Sequence, residues 1–253
     1  MATPCIVCDN NSGSREHFWP QWIHERKDFG PLKQKRGGKE ITIPDPKLVV
    51  KAVCKRCNNG WMSDLEVASI PLVCSMMQNL SIRLERDQQN ILAQWLMKMA
   101  FLTDWTRVGG REKRFYTREE GAAFAEDCTI PPRTRIWIGH IISSHLSFDG
   151  HDATRLAAAD RSRLGLSTSI TLAVGHLAGQ IVTDHLVPEH DNQHAPDTQA
   201  NSGRWAARLI QIWPVEKDWM MWPPVASFTN GGPQGYDYLL DRWRVGERVE
   251  KLI

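Results

Sequence analysis

The chain has 253 residues, 42% of them hydrophobic, and a formal net charge of +2. That length buries a full core and has room for two domains. No apolar run reaches the 18 residues of a membrane span, and Met1-Ala2-Thr3-Pro4-Cys5 lacks the basic and apolar blocks of a signal peptide, so a soluble cytoplasmic protein without membrane association is expected.

The first informative segment is Cys5-Ile6-Val7-Cys8, followed by Glu16-His17-Phe18-Trp19-Pro20 on a strand or loop, with Pro20-Gln21-Trp22-Ile23 starting a helical turn. Residues 1–60 hold 11 Lys and Arg against 6 Asp and Glu, and residues 61–253 hold 20 against 23. The positive charge is therefore concentrated at the N-terminal end. Lys33, Lys35, Arg36 and Lys39 surround Gly37-Gly38 and read as a flexible basic loop able to follow a phosphate backbone. Residues 48–54 are rich in β-branched side chains and read as a half-buried strand that feeds a second pair, Cys54-Lys55-Arg56-Cys57. Two C-x2-C pairs supply four soft thiolates, the tetrahedral donor set of a structural zinc, so Cys5, Cys8, Cys54 and Cys57 are expected to bind one ion. Cys74 and Cys128 are left as reduced thiols.

Helices follow. Ser63 and Glu66 have capping-box spacing and predict a helix start directly after Gly60-Trp61-Met62, with Trp61 and Met62 as core contacts. Pro71 is expected to kink or split this helix. Asp87 or Asn90 can cap a helix to about Trp105, along which Ile91, Trp95, Leu96, Met99 and Leu102 form an apolar stripe. Thr117 and Glu120 are a second capping-box pair, opening a helix to Cys128. Pro131-Pro132 ends the helical part, and residues 129–132 are the expected boundary.

Beyond it the pattern changes to strands: 134–142, 168–175, 176–183 and 205–213, separated by Gly, Ser, Asp and Asn, predict an antiparallel sheet or small barrel. Residues 190–203 read as a mobile loop, and Trp213, Trp219, Trp222 and Trp243 as core and edge residues of the sheet. Asp184-His185-Leu186-Val187-Pro188 repeats the acid-His-x-x-Pro pattern without a cysteine pair nearby, and reads as a surface histidine at a strand end. His140, His145, His151, His190 and His194 lack metal-ligand spacing and are assigned no role.

The sequence Cys-x-x-Cys, then Glu16-His17-x-x-Pro20, then Val53-Cys54-Lys55-Arg56-Cys57-Asn58 resembles the zinc-bearing branch of the HNH endonucleases, which have the ββα-metal fold. The resemblance covers residues 1–70. It implies a zinc-stabilised ββα-metal domain over 1–70; with the helical connector read over 71–130 and the antiparallel β-rich domain read over 131–253, which would position a substrate or partner or mediate self-association, an α+β protein is expected. It implies hydrolysis of phosphodiester bonds in DNA, with His17 as general base and Glu16 and Asn58 as ligands of a catalytic Mg²⁺ or other divalent cation. The residue types suit the chemistry. An imidazole takes a proton from water near neutrality, and hard carboxylate and amide oxygens suit a cation that neutralises charge on the phosphate. The chain departs from the family pattern in having no Asn on the strand before the second cysteine pair, where Leu48 to Val53 stand. It also has Glu where Asp is usual before His17. A non-catalytic zinc-held module that binds nucleic acid or assembles is the alternative.

Overall fold

The computed structural model describes residues 4–8, 10–30, 32–36, 39–43, 48–107, 114–156, 163–186 and 207–229. Its helices and antiparallel sheets make an α+β fold. Strand β1 (Glu16–His17) pairs antiparallel with β4 (Val49–Val50), with Glu16 opposite Val50 and His17 opposite Val49. Only this part of the expected 48–54 strand is regular. The Ala52 carbonyl accepts from Ile6 N–H (3.0 Å), and that of Val53 accepts from Gly13 and Ser14 (3.1 and 3.0 Å), so this stretch binds the first cysteine segment rather than a strand. Helix α1 (Gln21–Arg26) follows β1.

Between β1 and β4 the chain forms a hairpin of β2 (Leu32–Arg36) and β3 (Lys39–Ile43), in which Arg36 faces Lys39. The backbone of Lys33, Lys35, Arg36 and Lys39 thus lies in paired strands, not in the flexible loop that their charge suggests. Ile41-Thr42-Ile43 favours a strand, and Gly-Gly between two such runs is a two-residue hairpin signal that outweighs the charge.

Helix begins at the second cysteine pair, earlier than the capping-box reading places it. Three segments run on continuously: α2 (Lys55–Cys57), a π-helical turn (Asn58–Met62) and α3 (Ser63–Met77). Cys54 is the N-cap, its Sγ accepting from Cys57 N–H, while Met62 is already helical and Ser63 makes no cap. The chain bends at Gly60 (φ −103°, ψ −120°), not at Pro71, through which α3 continues unbroken. Pro71 removes the hydrogen bond to the Val67 carbonyl, four residues earlier. Both residues lie on the exposed side, where water can serve that carbonyl.

Helix α4 (Arg86–Arg107) is buried from Trp95 to Leu102. Its apolar stripe meets α3 on one side and the sheet on the other. Helix α5 (Arg118–Asp127) has the expected capping box at Thr117 and Glu120 and ends at Cys128 in the left-handed conformation.

The sheet is dominated by one long hairpin, β6 (Thr134–Leu156) with β7 (Arg163–Leu186), and β8 (Leu209–Trp213) lies on the other edge of β6. The runs 168–175 and 176–183, expected as two strands, are one. Gly175 marks a fault in the ladder instead of a turn: the register steps from His140 opposite Leu177 to His145 opposite Gly175. Gly175 has φ +61°, and a Cβ there would lie 2.6 Å from the Cα of Met77, so α3 docks against bare backbone. Strand β5 (Ile82–Glu85) pairs with β9 (Trp219–Trp222). Of the late tryptophans, Trp222 is buried and Trp219 is exposed beneath Arg83, 4.5 Å from its ring. Residues 190–203 and Trp243 lie outside the described residues.

One cluster of buried side chains runs from Cys5, Phe18 and Trp19 through Trp95 and Leu96 to Ile136, Ile181 and Trp222. The cysteine-bearing segment therefore shares its core with the helices and the sheet. Phe18 makes this contact directly, its ring centroid 4.0 Å from that of Phe148 on β6. Among the described residues no helix is long and apolar enough to cross a membrane.

Candidate metal centre and adjoining polar site

The four paired cysteines converge. The sulfurs of Cys5, Cys8, Cys54 and Cys57 all lie within 4.8 Å of one another, with Cys8 to Cys54 at 3.6 Å and Cys8 to Cys57 at 3.5 Å. Tetrahedral bonds of about 2.3 Å to zinc place sulfurs about 3.8 Å apart, so the cage fits an ion of that size with little adjustment. Cys5, Cys54 and Cys57 are buried and Cys8 is half-buried. Backbone N–H groups point at the sulfurs: Cys54 donates to Cys5 Sγ at 3.3 Å and Cys57 to Cys54 Sγ at 3.4 Å. Such donors stabilise thiolates and orient them.

The thiols do not ionise alike. Burial pushes Cys5 up, against backbone donors from Val7 and Cys54. Burial, then the charge of Cys5, raises Cys57 strongly. Burial also acts on Cys54, but the Cys57 N–H and the neighbouring thiols outweigh it and bring Cys54 down to about 7. Four crowded thiolates repel one another, and a bound dication is what makes their joint deprotonation favourable. The donor set and its spacing therefore suit a metal such as zinc. Among the described residues no other group of three or more His, Cys, Asp or Glu side chains is placed to share one ion.

The same cage draws the two halves of the Glu16-His17 and Asn58 pattern together. Asn58 Nδ2 donates to Ser14 Oγ at 2.7 Å, across 44 residues of sequence, which anchors the first residue after the second cysteine pair to the chain entering β1. Asn58 Oδ1 accepts no hydrogen bond among the described residues. His17 is half-buried, not fully exposed, and its ring makes none either. Glu16 turns the other way, as alternation along a strand requires. It is 7% exposed, and its Oε1 accepts from Lys98 Nζ at 2.9 Å. Lys98 also donates to Glu66 Oε1. Burial pushes the Glu16 carboxyl above its ordinary range, with Lys98 opposing. Asn58 is thus tied to Ser14 and Glu16 to Lys98, and no hydrogen bond joins Glu16 to Asn58 among the described residues.

Lys98 has no expected role in the sequence, and Glu66 only that of a capping-box partner of Ser63. The available signal was Lys98 itself, which stands three residues after Trp95 and four before Leu102, on the buried stripe of α4 where a lone charge needs a partner. Glu66 has capping-box spacing, but its carboxylate goes to Lys98 instead.

The second acid-histidine pair lies elsewhere. His185, at the end of β7, is half-buried rather than on the surface: it bonds Glu120 Oε1 at 2.8 Å and stacks on Phe115 at 4.2 Å between centroids. It is committed to structure. For Lys33, Lys35, Arg36 and Lys39 the description extends to their backbone only, in β2 and β3. Compared with family models, curated proteins and solved structures, the chain matches none.

Proposed function

We propose that the chain is a metal-dependent endonuclease that hydrolyses phosphodiester bonds in DNA, with Cys5, Cys8, Cys54 and Cys57 holding a structural zinc. The observation that carries this reading is the tie between Asn58 and Ser14 beside the thiol cage. It holds the acid-histidine segment against the start of the helix that follows β4, as the resemblance to the ββα-metal nucleases implies. His17 is the general base. Its ring makes no hydrogen bond to the described residues, so a ring nitrogen is left to take a proton from water. Glu16 Oε2 and Asn58 Oδ1, neither of which accepts a hydrogen bond among the described residues, are the hard oxygen donors that would hold Mg²⁺ or another divalent ion. Such an ion supplies positive charge to the phosphate and leaving oxygen. The basic strands β2 and β3 bind the DNA backbone, and the sheet of β6, β7 and β8 positions the substrate or a protein partner.

Cleavage of supercoiled plasmid tests this. The parent is expected to cut in Mg²⁺ or Mn²⁺ and not in chelator. His17→Ala should lose roughly 10²–10⁴ in rate with zinc content unchanged, and His185→Ala should cut like the parent. Equal cutting by the parent and His17→Ala would remove the assignment.

The Lys98 contact favours a second reading. A carboxylate already compensated by a buried ammonium has less need of a metal ion, which suits a zinc-held module that binds nucleic acid or assembles without cutting. In that case His17→Ala binds DNA as the parent does, and no second metal binds beside the zinc.

A further inference from the structure

We infer that Arg15 and Lys51 are a phosphate-binding pair on the His17 face of the β1–β4 ladder, contacting the sugar-phosphate backbone of duplex DNA. This rests on the reading above that the chain binds DNA, and not on whether it cuts. Strand β1 pairs with β4 so that Glu16 faces Val50 and His17 faces Val49. Hydrogen bonds on either side keep the same pairing, from Phe18 N–H to the Leu48 carbonyl at 2.7 Å and from Gly13 N–H to the Val53 carbonyl at 3.1 Å. Arg15 therefore stands opposite Lys51. Exposure alternates as strand geometry requires: Glu16 and Val50 are buried, His17 and Val49 are half-buried, and Arg15 and Lys51 are exposed. The two cations thus share the outward face with His17, one on each strand, and Arg15 lies two residues, or about 7 Å, along the chain from it.

Like charges directly opposite each other on paired strands repel and weaken the pairing. Among the described residues neither side chain makes an ion pair or a hydrogen bond that would relieve this. Glu16 is the one acid in residues 10–20 and 48–62, and it is turned to the core and paired with Lys98. Lys55 and Arg56, exposed between the cysteines of the second pair, add positive charge and no carboxylate. A ladder of two-residue strands has little stability of its own to set against such repulsion. An anion lying between Arg15 and Lys51 offsets it. A phosphodiester suits the two side chains, because the guanidinium fork meets two phosphate oxygens at once and the ammonium adds a point charge. Neither contact reads a base. A backbone held by this pair runs across His17, the general base of the proposed reaction.

The test is DNA binding without added divalent ion, so that cutting does not enter. Zinc-loaded protein is titrated into a fluorescent duplex of about 20 base pairs, and anisotropy gives the affinity between about 50 and 200 mM salt. Arg15→Gln and Lys51→Gln should each flatten the slope of log K against log salt by about 0.9 and weaken binding severalfold at the low-salt end. Arg15→Lys, which keeps the charge and loses the fork, should keep the slope with reduced affinity. Lys217→Gln removes another exposed cation, from the segment before β9, and should bind as the parent does. Parental slopes in Arg15→Gln and Lys51→Gln, or an equal loss in Lys217→Gln, overturn the inference while leaving DNA binding in place. A parent that does not bind the duplex overturns the inference together with the reading it rests on. Both side chains are exposed, so the variants should keep their zinc and melt as the parent does; loss of zinc in either would make that position structural and likewise overturn the assignment.

Discussion

The two ends of the described chain are held by different means. The cysteine-bearing segment has a strand pair of two residues on each side, a six-residue helix and a cage of four thiols. The β6–β7 hairpin has strands of 23 and 24 residues, paired along most of their length and packed on α3 and α4. A ladder of that length with a buried face supports itself, whereas two-residue strands do not. The difference shows where an ion is needed: the proposed zinc holds what hydrogen bonds and apolar burial leave loose.

The largest expected effect follows from this. Cys54→Ser removes one sulfur and, with its capping role, the start of α2. In isolated zinc-finger peptides such an ion supplies on the order of 10 kcal/mol of folding free energy. Zinc content should drop to near zero, and amide exchange should accelerate across residues 4–26 and 48–62 while the β6–β7 ladder keeps its protection. Retained zinc, or a ladder that melts together with the N-terminal segment, would break the comparison.

Next in size is the contact that joins the two regions. Phe18 is fully buried against Phe148 and Trp19, and Phe18→Ala should cost about 3–5 kcal/mol by loss of burial and the cavity left behind. Denaturant midpoints of zinc-loaded protein measure it. A cost below about 1 kcal/mol, the level of a surface change, would mean that the two regions fold without reference to each other.

A smaller loss is expected within the sheet. Gly175→Ala places a methyl in a left-handed backbone, 2.6 Å from Met77 Cα and 2.8 Å from its carbonyl oxygen. Neither neighbour is a side-chain end that can swing away. The strain alone costs about 1–3 kcal/mol, and relief requires α3 to move off β7. Near-parental stability would show that this docking is not close in solution.

How far these features can be read from sequence depends on their range. The cysteine cage, the Thr117 capping box and the apolar stripe of α4 are local patterns, and they appear in the structure as read. Errors arose where a local signal met a distant partner. Ser63 did not cap because the helix had already begun at Cys54, whose cap depends on the folded cage. Gly175 looked like a turn because its reason, the backbone of Met77, lies almost a hundred residues away in sequence. Gly37-Gly38 suits a hairpin as well as a loop, and the basic charge around it does not distinguish the two; the pairing of β2 with β3 does. Most telling is Glu16. The motif reads as a ligand of a divalent ion, but the carboxylate is buried and paired with Lys98 on α4, and only the fold brings α4 to β1.

The smallest effect concerns pH and again separates the two regions. His140 on β6 sits where α3, β7, β9 and the segment after β9 meet. Its Nε2–H donates to Asn79 Oδ1 at 2.8 Å, and in the neutral ring Nδ1 accepts from the Ser227 hydroxyl at 2.6 Å. His176 stacks on it at 5.7 Å, and Trp222 stands edge-on at 5.3 Å. Burial, then the nearby His176, holds His140 below its ordinary value of 6.5. The unfolded chain therefore takes up this proton first as pH falls, and binds more protons than the folded chain between 6.5 and the lowered folded value. The stabilisation is complete above pH 6.5 and is lost on acidification through that window, with a slope below the 1.4 kcal/mol per pH unit of a single proton. Unfolding free energies from pH 8 to pH 5 should fall more steeply for the parent than for His140→Gln, the difference between them cancelling contributions from other groups. Parallel curves would mean that His140 titrates as it does in the unfolded chain, and that the sheet, unlike the thiol cage, gains nothing from a neutral histidine at this junction.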